Sequence, residues 1–454
     1  MEKTTKKQSF LGGAATIAFG GFVAKLIGAL YRIPLTNLIG GHGLGLYQLV
    51  YPVYCLLLTV SATGIPASIA KLTAERLGKG ESDKPLLKTA LKLFLLIGIF
   101  ATVFMVALAP ILSAAQGEKG LFWGYLALAP SVFLVSALSV FRGWFQGRNR
   151  MSPTALSEII EQAVKVGFGL LFAYLFRADT LKAVTFLLLA VSLSETVALL
   201  VMLWLYKRAK KEEEMEKDGG RVAMKSILAL SIPVTLNSAL LPLSGLLDSV
   251  LAVRLLRKYA ADPVALYGLF SGGAVTVISL PVSICYGIAA ASVPALAGAA
   301  ASLGKKVKEK RRTMKKKLFF SLGITLLVSL PSAVGLYLFA SPAVKIIFRS
   351  LKGEELEILI RLVKIFSVSA VTLSCVQTLS ACLTAQGRPR FAAFSMLIGV
   401  TVKTVLYVFL LKNPEISVFG MAYATNACYL VAFFLDLLYN LYTIKRTDTR
   451  RKRV

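Results

Sequence analysis

Charged residues are scarce in this 454-residue chain, and acidic residues are the scarcest of them. Asp, Glu, Lys and Arg make up 17% of the sequence and apolar residues 56%, whereas about a quarter of an ordinary soluble domain is charged. There is one histidine, His42, and the five cysteines all lie within apolar segments. These shortages exclude a metal site with His/Cys spacing and an extracellular disulfide framework. The polar segments are no longer than roughly twenty residues, too short for a soluble domain. We therefore expect a membrane protein that is not an enzyme and needs no cofactor.

Long apolar runs recur along the whole chain, and each is long enough to cross a bilayer, which takes roughly 20 helical residues. The predicted spans are residues 10–33, 44–70, 86–112, 121–141, 153–176, 181–206, 226–253, 267–296, 318–341, 356–385, 391–411 and 417–443. The sequence thus predicts an all-α integral membrane protein with about twelve transmembrane helices.

The net charge of +29 is spread over the loops instead of forming a patch, which argues against a nucleic-acid partner. If the chain starts in the cytoplasm, 36 of the 52 lysines and arginines fall in cytoplasmic segments, including residues 142–152, 207–225 and 304–317. Cytoplasmic loops carry such an excess of basic residues. We expect a multi-pass protein of the cytoplasmic membrane with both termini in the cytoplasm.

The two halves of the chain repeat each other. In both halves, a span ends at Gln-Gly-Arg (146–148 and 386–388), a short basic turn follows, and another span begins. Pro52 and Pro66 in the second span correspond to Pro281 and Pro294 in the eighth. Parallel repeats of this kind are typical of transporters. We expect two six-helix lobes, residues 1–206 and 226–454, joined by a cytoplasmic linker at 207–225.

Several charged side chains interrupt the spans, where each costs at least about 2.5–3.5 kcal/mol on insertion scales. Lys25 and Arg32 lie two helical turns apart on one face of the first span, beside the small residues Gly20, Gly21, Ala24, Gly28 and Ala29. Three charges in span five follow i, i+3, i+7 spacing, which also places them on one face. The candidate substrate-binding residues are Lys25, Arg32, Glu158, Glu161, Lys165, Asp248, Arg254 and Lys403. Span twelve contains one more charged residue, Asp436, which is not among these candidates.

Two interpretations of these charges remain open. They can line a hydrated cavity between the lobes, whose fixed cations hold an anionic group. Alternatively, Glu161 and Lys165 pair along their own helix and Arg32 extends to the outer headgroups.

Two stretches carry a family resemblance: "GLGLYQLVYPVYCLLLTVSATGIPASIAKLTAE" at 43–75 and "FRGWFQGRNRMSPTALSEIIEQAVKV" at 141–166. They resemble the stage V sporulation protein B branch of polysaccharide exporters, relatives of the lipid II flippases in the MOP superfamily, which also contains the MATE drug exporters. The resemblance implies a MOP/MATE-like fold and two basic residues in the first helix, at Lys25 and Arg32. It also implies a polyprenyl-pyrophosphate-linked saccharide as cargo, with membrane lipids and cell-wall synthesis proteins as partners.

Three functions agree with these charged residues to different degrees. A flippase for a lipid-linked saccharide agrees best with the cations. A cation-coupled multidrug antiporter of the MATE type should have mainly acidic cavity residues, and span one has none. An intramembrane glycosyl or prenyl transferase would rest on Glu158 and Glu161 alone.

Overall fold

The computed structural model describes residues 10–211, 224–285 and 307–445, and these ranges contain helices and no β-strand. This confirms the predicted all-α class. The helices are α1 (Phe10–Leu58), α2 (Ile65–Gly78), α3 (Lys84–Ala115), α4 (Leu121–Gly147), α5 (Ser152–Leu175), α6 (Thr180–Lys211), α7 (Met224–Leu256), α8 (Pro263–Cys285), α9 (Val307–Leu338), α10 (Ala340–Ile347), α11 (Gly353–Phe366), α12 (Val368–Ala385), α13 (Pro389–Leu410) and α14 (Phe419–Lys445).

Ten segments of the described residues are long and apolar enough to span a membrane. The first of them, Leu26–Gly78, begins within the first predicted span and includes the whole of the second. Helix α5 is not among the ten because Glu158, Glu161 and Lys165 interrupt its apolar sequence. The ten segments are therefore compatible with the predicted twelve spans.

Helix α1 is bent at Gly40, which divides it into two arms. The backbone of Gly40 has φ 69° and ψ −175°, a conformation that is readily available only to glycine. The bend lies at the start of the sequence "GGHGLG", where the turn between the first two spans is predicted. The second arm continues through a π-helical turn, Thr59–Thr63, into α2.

A π-helical turn also occurs in the second half of the chain, at Leu269–Ala274 within α8. Both π-helical turns therefore lie in the second predicted span of their half. Such turns interrupt the regular hydrogen bonding of a helix and are frequent at functional sites. Of the prolines expected to match, Pro52, Pro66 and Pro281 lie in α1, α2 and α8, whereas Pro294 lies outside the described residues.

The chain divides into two compact units, residues 1–250 and 251–454. In the first, α2, α3, α4 and α6 enclose an apolar core that includes Ile69, Leu138, Trp144 and Met202. In the second, α9, α12 and α14 pack around Leu318, Leu379, Cys382 and Ile444. The lobe boundaries expected from sequence, with a linker at 207–225, stay a prediction.

The repeated Gln-Gly-Arg motif ends a helix in both halves, but its glycines serve different purposes. A Cβ on Gly147 would lie 2.5 Å from the Cβ of Thr73, so this glycine permits close packing of α4 on α2. Gly387 has φ 73° and closes α12 in the left-handed conformation. In the first half that conformation is adopted by Asn149, with φ 57°.

An ion pair fixes the end of α4 to the start of α3. The Nε and Nη2 atoms of Arg148 donate to the two carboxylate oxygens of Asp83, each at 2.7 Å. The Asp83 side chain is fully buried, and the guanidinium lies 4.2 Å from the ring centroid of Trp144. Bidentate pairs of this kind fix orientation as well as adding energy. They hold the α2–α3 connection against α4.

Helix α6 begins at a carboxylate cap. Asp179 Oδ1 accepts a hydrogen bond from the backbone N–H of Lys182 at 3.0 Å, and the Lys182 ammonium lies 3.3 Å from Oδ2. The backbone hydrogen bond lowers the pKa of Asp179 below its ordinary value. A carboxylate at this position also interacts favourably with the helix dipole.

Gly143 is a packing position that we expect to reject any side chain. A Cβ there would lie 2.7 Å from the carbonyl oxygen and 2.8 Å from the Cα of Pro66, both backbone atoms that cannot move independently. Gly143→Ala is expected to destabilise the first unit by about 1–3 kcal/mol. Thermal unfolding in detergent, followed by tryptophan fluorescence, measures this directly because Trp123, Trp144 and Trp204 are the only tryptophans.

The matched control is Gly167→Ala in α5, where an added Cβ would meet no atom of the described residues within 4 Å. Alanine favours a helix over glycine by up to about 1 kcal/mol, so this variant is expected to be as stable as the wild type or more so. Equal melting temperatures for the two variants would contradict the packing argument.

Candidate functional site

Six charged side chains in the first unit come together from four helices. We call this set the charge cluster: Arg32 of α1, Arg142 of α4, Glu158, Glu161 and Lys165 of α5, and Glu195 of α6. Four of its members, Arg32, Glu158, Glu161 and Lys165, are predicted from the sequence. Arg142 and Glu195 are not.

Helix α5 contributes half of the charge cluster because its three charged residues share one face, as their spacing predicts. The first arm of α1 packs closely on this helix. A Cβ on Gly20 would lie 2.5 Å from the Cβ of Ala155, and the Gly21 backbone approaches the Glu158 carboxylate. The lack of a side chain at Gly20 therefore permits the close approach of α1 to α5.

The centre of the charge cluster is an ion pair between α4 and α5. Arg142 Nη2 lies 2.9 Å from Glu161 Oε2, and Arg142 Nε donates to Ser157 Oγ, also at 2.9 Å. The other oxygen of Glu161 accepts from Gln162 Nε2 at 3.1 Å. Arg142 and Glu161 are 13% and 16% exposed, so water screens this pair only weakly.

Glu195 of α6 is the most deeply buried acid of the charge cluster, with 3% exposure. Its Oε1 accepts a long hydrogen bond of 3.4 Å from the hydroxyl of Tyr54. Its Oε2 has no hydrogen-bond partner among the described residues. The carboxylate interacts electrostatically with Glu161 on α5, and also with two cations, Arg142 and Lys165.

Lys165 is half-buried on the same face of α5. It lies within electrostatic range of Glu161, Glu195 and Arg32. Within the described part of the chain its ammonium nevertheless makes no hydrogen bond or ion pair. The carboxylate of Glu161, which the sequence suggests as a partner along the helix, is paired with Arg142 instead. Lys165 is thus a half-buried cation whose nearest acid on the same helix face is bound to another residue.

Arg32 lies on the first arm of α1, near tyrosines of the second arm. It is half-buried and interacts electrostatically with Tyr47, Cys55 and Lys165. The rings of Tyr47 and Tyr51 stack with centroids 5.2 Å apart, and those of Tyr51 and Tyr54 are 5.6 Å apart. The bend at Gly40 therefore brings an aromatic ladder on one arm close to a cation on the other.

The remaining predicted site residues are not part of the charge cluster as described. The Lys25 side chain lies outside the described residues. Asp248 is half-buried in α7, and Arg254 is exposed in the last turn of that helix. Lys403 belongs to the second unit, where it is 5% exposed and lies 5.4 Å from the ring centroid of Tyr407.

The second unit has a polar network of its own, on α12 and α14. The buried Asp436 accepts from Ser380 Oγ at 2.6 Å. Asn440 donates to the carbonyl oxygen of Leu379 at 3.0 Å and accepts from Gln386 Nε2 at 2.7 Å. In the described ranges, no group of three His, Cys, Asp or Glu residues is placed to hold a metal ion.

Sequence reasoning missed Arg142 because the predicted fourth span ends at residue 141, which places Arg142 in a cytoplasmic turn. The helix continues to Gly147, so Arg142 lies inside it and turns to α5. Glu195 could have been found from its position alone. It interrupts the apolar run "AVSLSETVALLVMLW" in the sixth span, where an ionisable residue is by default a functional candidate.

The sequence matches a known protein family. Residues 10–300 match the family model "Polysaccharide biosynthesis protein". The chain is 26% identical to stage V sporulation protein B of Bacillus subtilis (strain 168), across 92% of this chain and 81% of that protein. It is 24% identical to the lipid II flippase MurJ of the same organism, across 96% and 82%.

A solved structure shares the fold. It is the inward-facing conformation of a multidrug resistance MATE family transporter of the MOP superfamily, with a TM-score of 0.78 over 94% of this chain and 96% of that one. The sequence identity is 15%, so the likeness concerns the fold. The match to the family model covers more than half of the chain, and the chain therefore belongs to the polysaccharide biosynthesis protein family.

Proposed function

We propose that this protein is a flippase that moves a polyprenyl-pyrophosphate-linked saccharide across the cytoplasmic membrane by alternating access. Its family and relatives place it among multi-pass membrane flippases and exporters, not among enzymes. The name of one relative supports the finer proposal, since that relative is a lipid II flippase.

The observation that carries the proposal is the half-buried ammonium of Lys165, which makes no hydrogen bond or ion pair with the residues that the structure describes. A cation inside a membrane helix normally has a partner, because an isolated charge is costly there. Here the nearest acid on the same helix face is already bound to Arg142 at 2.9 Å. An anionic headgroup would form an ion pair with Lys165. Arg32, which interacts electrostatically with Lys165, would bind the same group.

The physical task of such a flippase is to replace the hydration of the pyrophosphate. Moving an ion of this size into hydrocarbon costs of order 20 kcal/mol by idealised estimates. Fixed cations in a wet cavity replace much of the lost hydration, while the polyprenyl tail stays in the bilayer. With the cell interior negative, outward movement of each negative charge is favoured by roughly 2.3 kcal/mol per 100 mV. This driving force needs no nucleotide.

The other predicted site residues have roles within the same proposal. Lys25, Arg254 and Lys403 are proposed as further headgroup contacts, and Glu158, Glu161 and Asp248 as acids that hold the cations in place. The excess of basic residues in the loops supports cytoplasmic termini. Cell-wall synthesis proteins are the partners expected for a protein that delivers such a lipid.

The proposal is tested with proteoliposomes that contain a polyprenyl-pyrophosphate disaccharide labelled with a fluorophore on the sugar. Dithionite, which does not cross the bilayer, should quench about half of the signal in protein-free liposomes and nearly all of it where wild-type protein exchanges the two leaflets. Quenching that stays at half with correctly folded protein would overturn the proposal.

A cation-coupled drug antiporter is the second candidate, and one observation favours it. The charge cluster contains three carboxylates, including the deeply buried Glu195. Ethidium efflux from the same proteoliposomes under a proton or sodium gradient separates the candidates. A flippase leaves ethidium accumulation unchanged, whereas an antiporter expels the dye and leaves the labelled lipid on its original side.

A further inference from the structure

The charge cluster is balanced when all its members are ionised. Its described side chains are three cations, Arg32, Arg142 and Lys165, and three carboxylates, Glu158, Glu161 and Glu195. A pyrophosphate headgroup adds further negative charge. Bound to a balanced cluster, it would face three carboxylates as well as three cations. Neutralising one carboxylate gives the cluster a net positive charge.

Glu195 is the carboxylate whose surroundings favour the protonated, neutral form. It is 3% exposed, and its Oε2 has no hydrogen-bond partner among the described residues. The groups that face it are Tyr54 from α1, Arg142 from α4, and Glu161 and Lys165 from α5. Arg142 makes its ion pair with Glu161. Glu195 therefore has no direct ion pair among the residues that the structure describes. A buried carboxylate without one is costly unless it is neutral.

We propose that the anionic headgroup binds to the form of the charge cluster in which Glu195 carries a proton. This inference rests on the proposed function and adds a proton to it. No bond of the cargo changes, because the proton comes from water and resides on the Glu195 carboxyl group while the headgroup is bound. Binding is reciprocal: the factor by which the proton raises the affinity for the headgroup equals the factor by which the headgroup raises the affinity of Glu195 for the proton.

Headgroup affinity is expected to fall as the pH rises. The cargo-bound state holds the proton, so affinity is constant at low pH and falls once the free protein has lost that proton. With one proton linked, the fall approaches about tenfold for each further pH unit. Lys165 also faces Glu195, and it is the other member of the charge cluster whose loss of charge at high pH would weaken binding.

The experiment measures binding of geranyl pyrophosphate to the purified full-length protein in nanodiscs, by calorimetry between about pH 7 and about pH 9.5, below the ordinary pKa of lysine. Wild-type affinity should fall with rising pH. Glu195→Gln, which mimics the protonated form, should bind at all pH values as the wild type does at low pH. The matched control is Asp436→Asn, a buried carboxyl of the second unit, which should keep the wild-type profile.

A second variant keeps the test decisive if Glu195→Gln does not fold. Tyr54→Phe removes the hydroxyl that donates to Glu195 Oε1 and should move the fall in affinity to higher pH, because the charged carboxylate loses a donor. A Glu195→Gln protein that retains the wild-type pH profile overturns the inference and assigns the titration to another group such as Lys165. Absence of binding in the wild type at every pH overturns the proposed function, and this inference with it.

Discussion

Arg142→Met is expected to destabilise the first unit by about 3–5 kcal/mol, the usual cost of removing one partner of a buried ion pair. Glu161 would lose its bond of 2.9 Å, and Glu195 would lose one of the two cations that face it. The methionine fills a similar volume, so the loss measures charge more than packing. Tryptophan fluorescence during thermal unfolding in detergent reports it, since all three tryptophans lie in the first unit.

Two further variants separate the ion pair from general effects of substitution. Arg142→Met combined with Glu161→Met removes both partners and should regain most of the lost stability, because no unpaired carboxylate remains at that position. Arg177→Met, at an exposed arginine beyond the end of α5, should melt with the wild type. If Arg142→Met also melts with the wild type, the ion pair does not stabilise the unit as argued.

The sequence predicts those features of the site that depend on one helix. Glu158, Glu161 and Lys165 share a face because helical periodicity places residues i, i+3 and i+7 together. That spacing holds whatever surrounds α5. The same reasoning fixes Lys25 and Arg32 on one face of the first span. The all-α class and the span positions are predictable from hydropathy alone because each apolar run is long enough to cross a bilayer as a helix.

Pairing between helices is harder to predict, and the partner of Glu161 illustrates the reason. On sequence grounds, Lys165 is the natural partner, four residues along the same helix. The structure instead pairs Glu161 with Arg142, nineteen residues earlier in the chain. Arginine offers a rigid fork of donors, which also reaches Ser157. A short turn between α4 and α5 brings Arg142 close to Ser157 and Glu161, and this tertiary contact outweighs the local pair.

The internal repeat shows a second limit of sequence comparison. The order Gln-Gly-Arg is the same at 146–148 and 386–388, and both motifs end a helix that a new helix follows. Arg148 forms a bidentate pair with the buried Asp83. Arg388 instead lies 5.8 Å from the ring centroid of Phe391. Equal motifs therefore preserve the position of a turn without preserving its contacts, and charge roles found in one half do not transfer to the other.

Lys165→Gln is expected to abolish most headgroup binding and flipping. A hydrogen bond to a charged group contributes about 1.5–3 kcal/mol, and each 1.4 kcal/mol is tenfold in affinity, so the loss should be roughly tenfold to more than a hundredfold. Its measurement is binding of geranyl pyrophosphate near neutral pH, together with the dithionite assay. Lys165→Arg keeps the charge and should retain most of both activities.

The melting temperature distinguishes Lys165→Gln from Arg142→Met. Lys165 has no ion pair in the described ranges, so Lys165→Gln removes no close contact and should melt within a few degrees of the wild type. Lys182→Gln, at a lysine whose side chain is 68% exposed, is the matched control and should bind and flip normally. Wild-type binding by Lys165→Gln would show that the Lys165 ammonium is not the headgroup contact, and would remove the observation on which the flippase proposal depends.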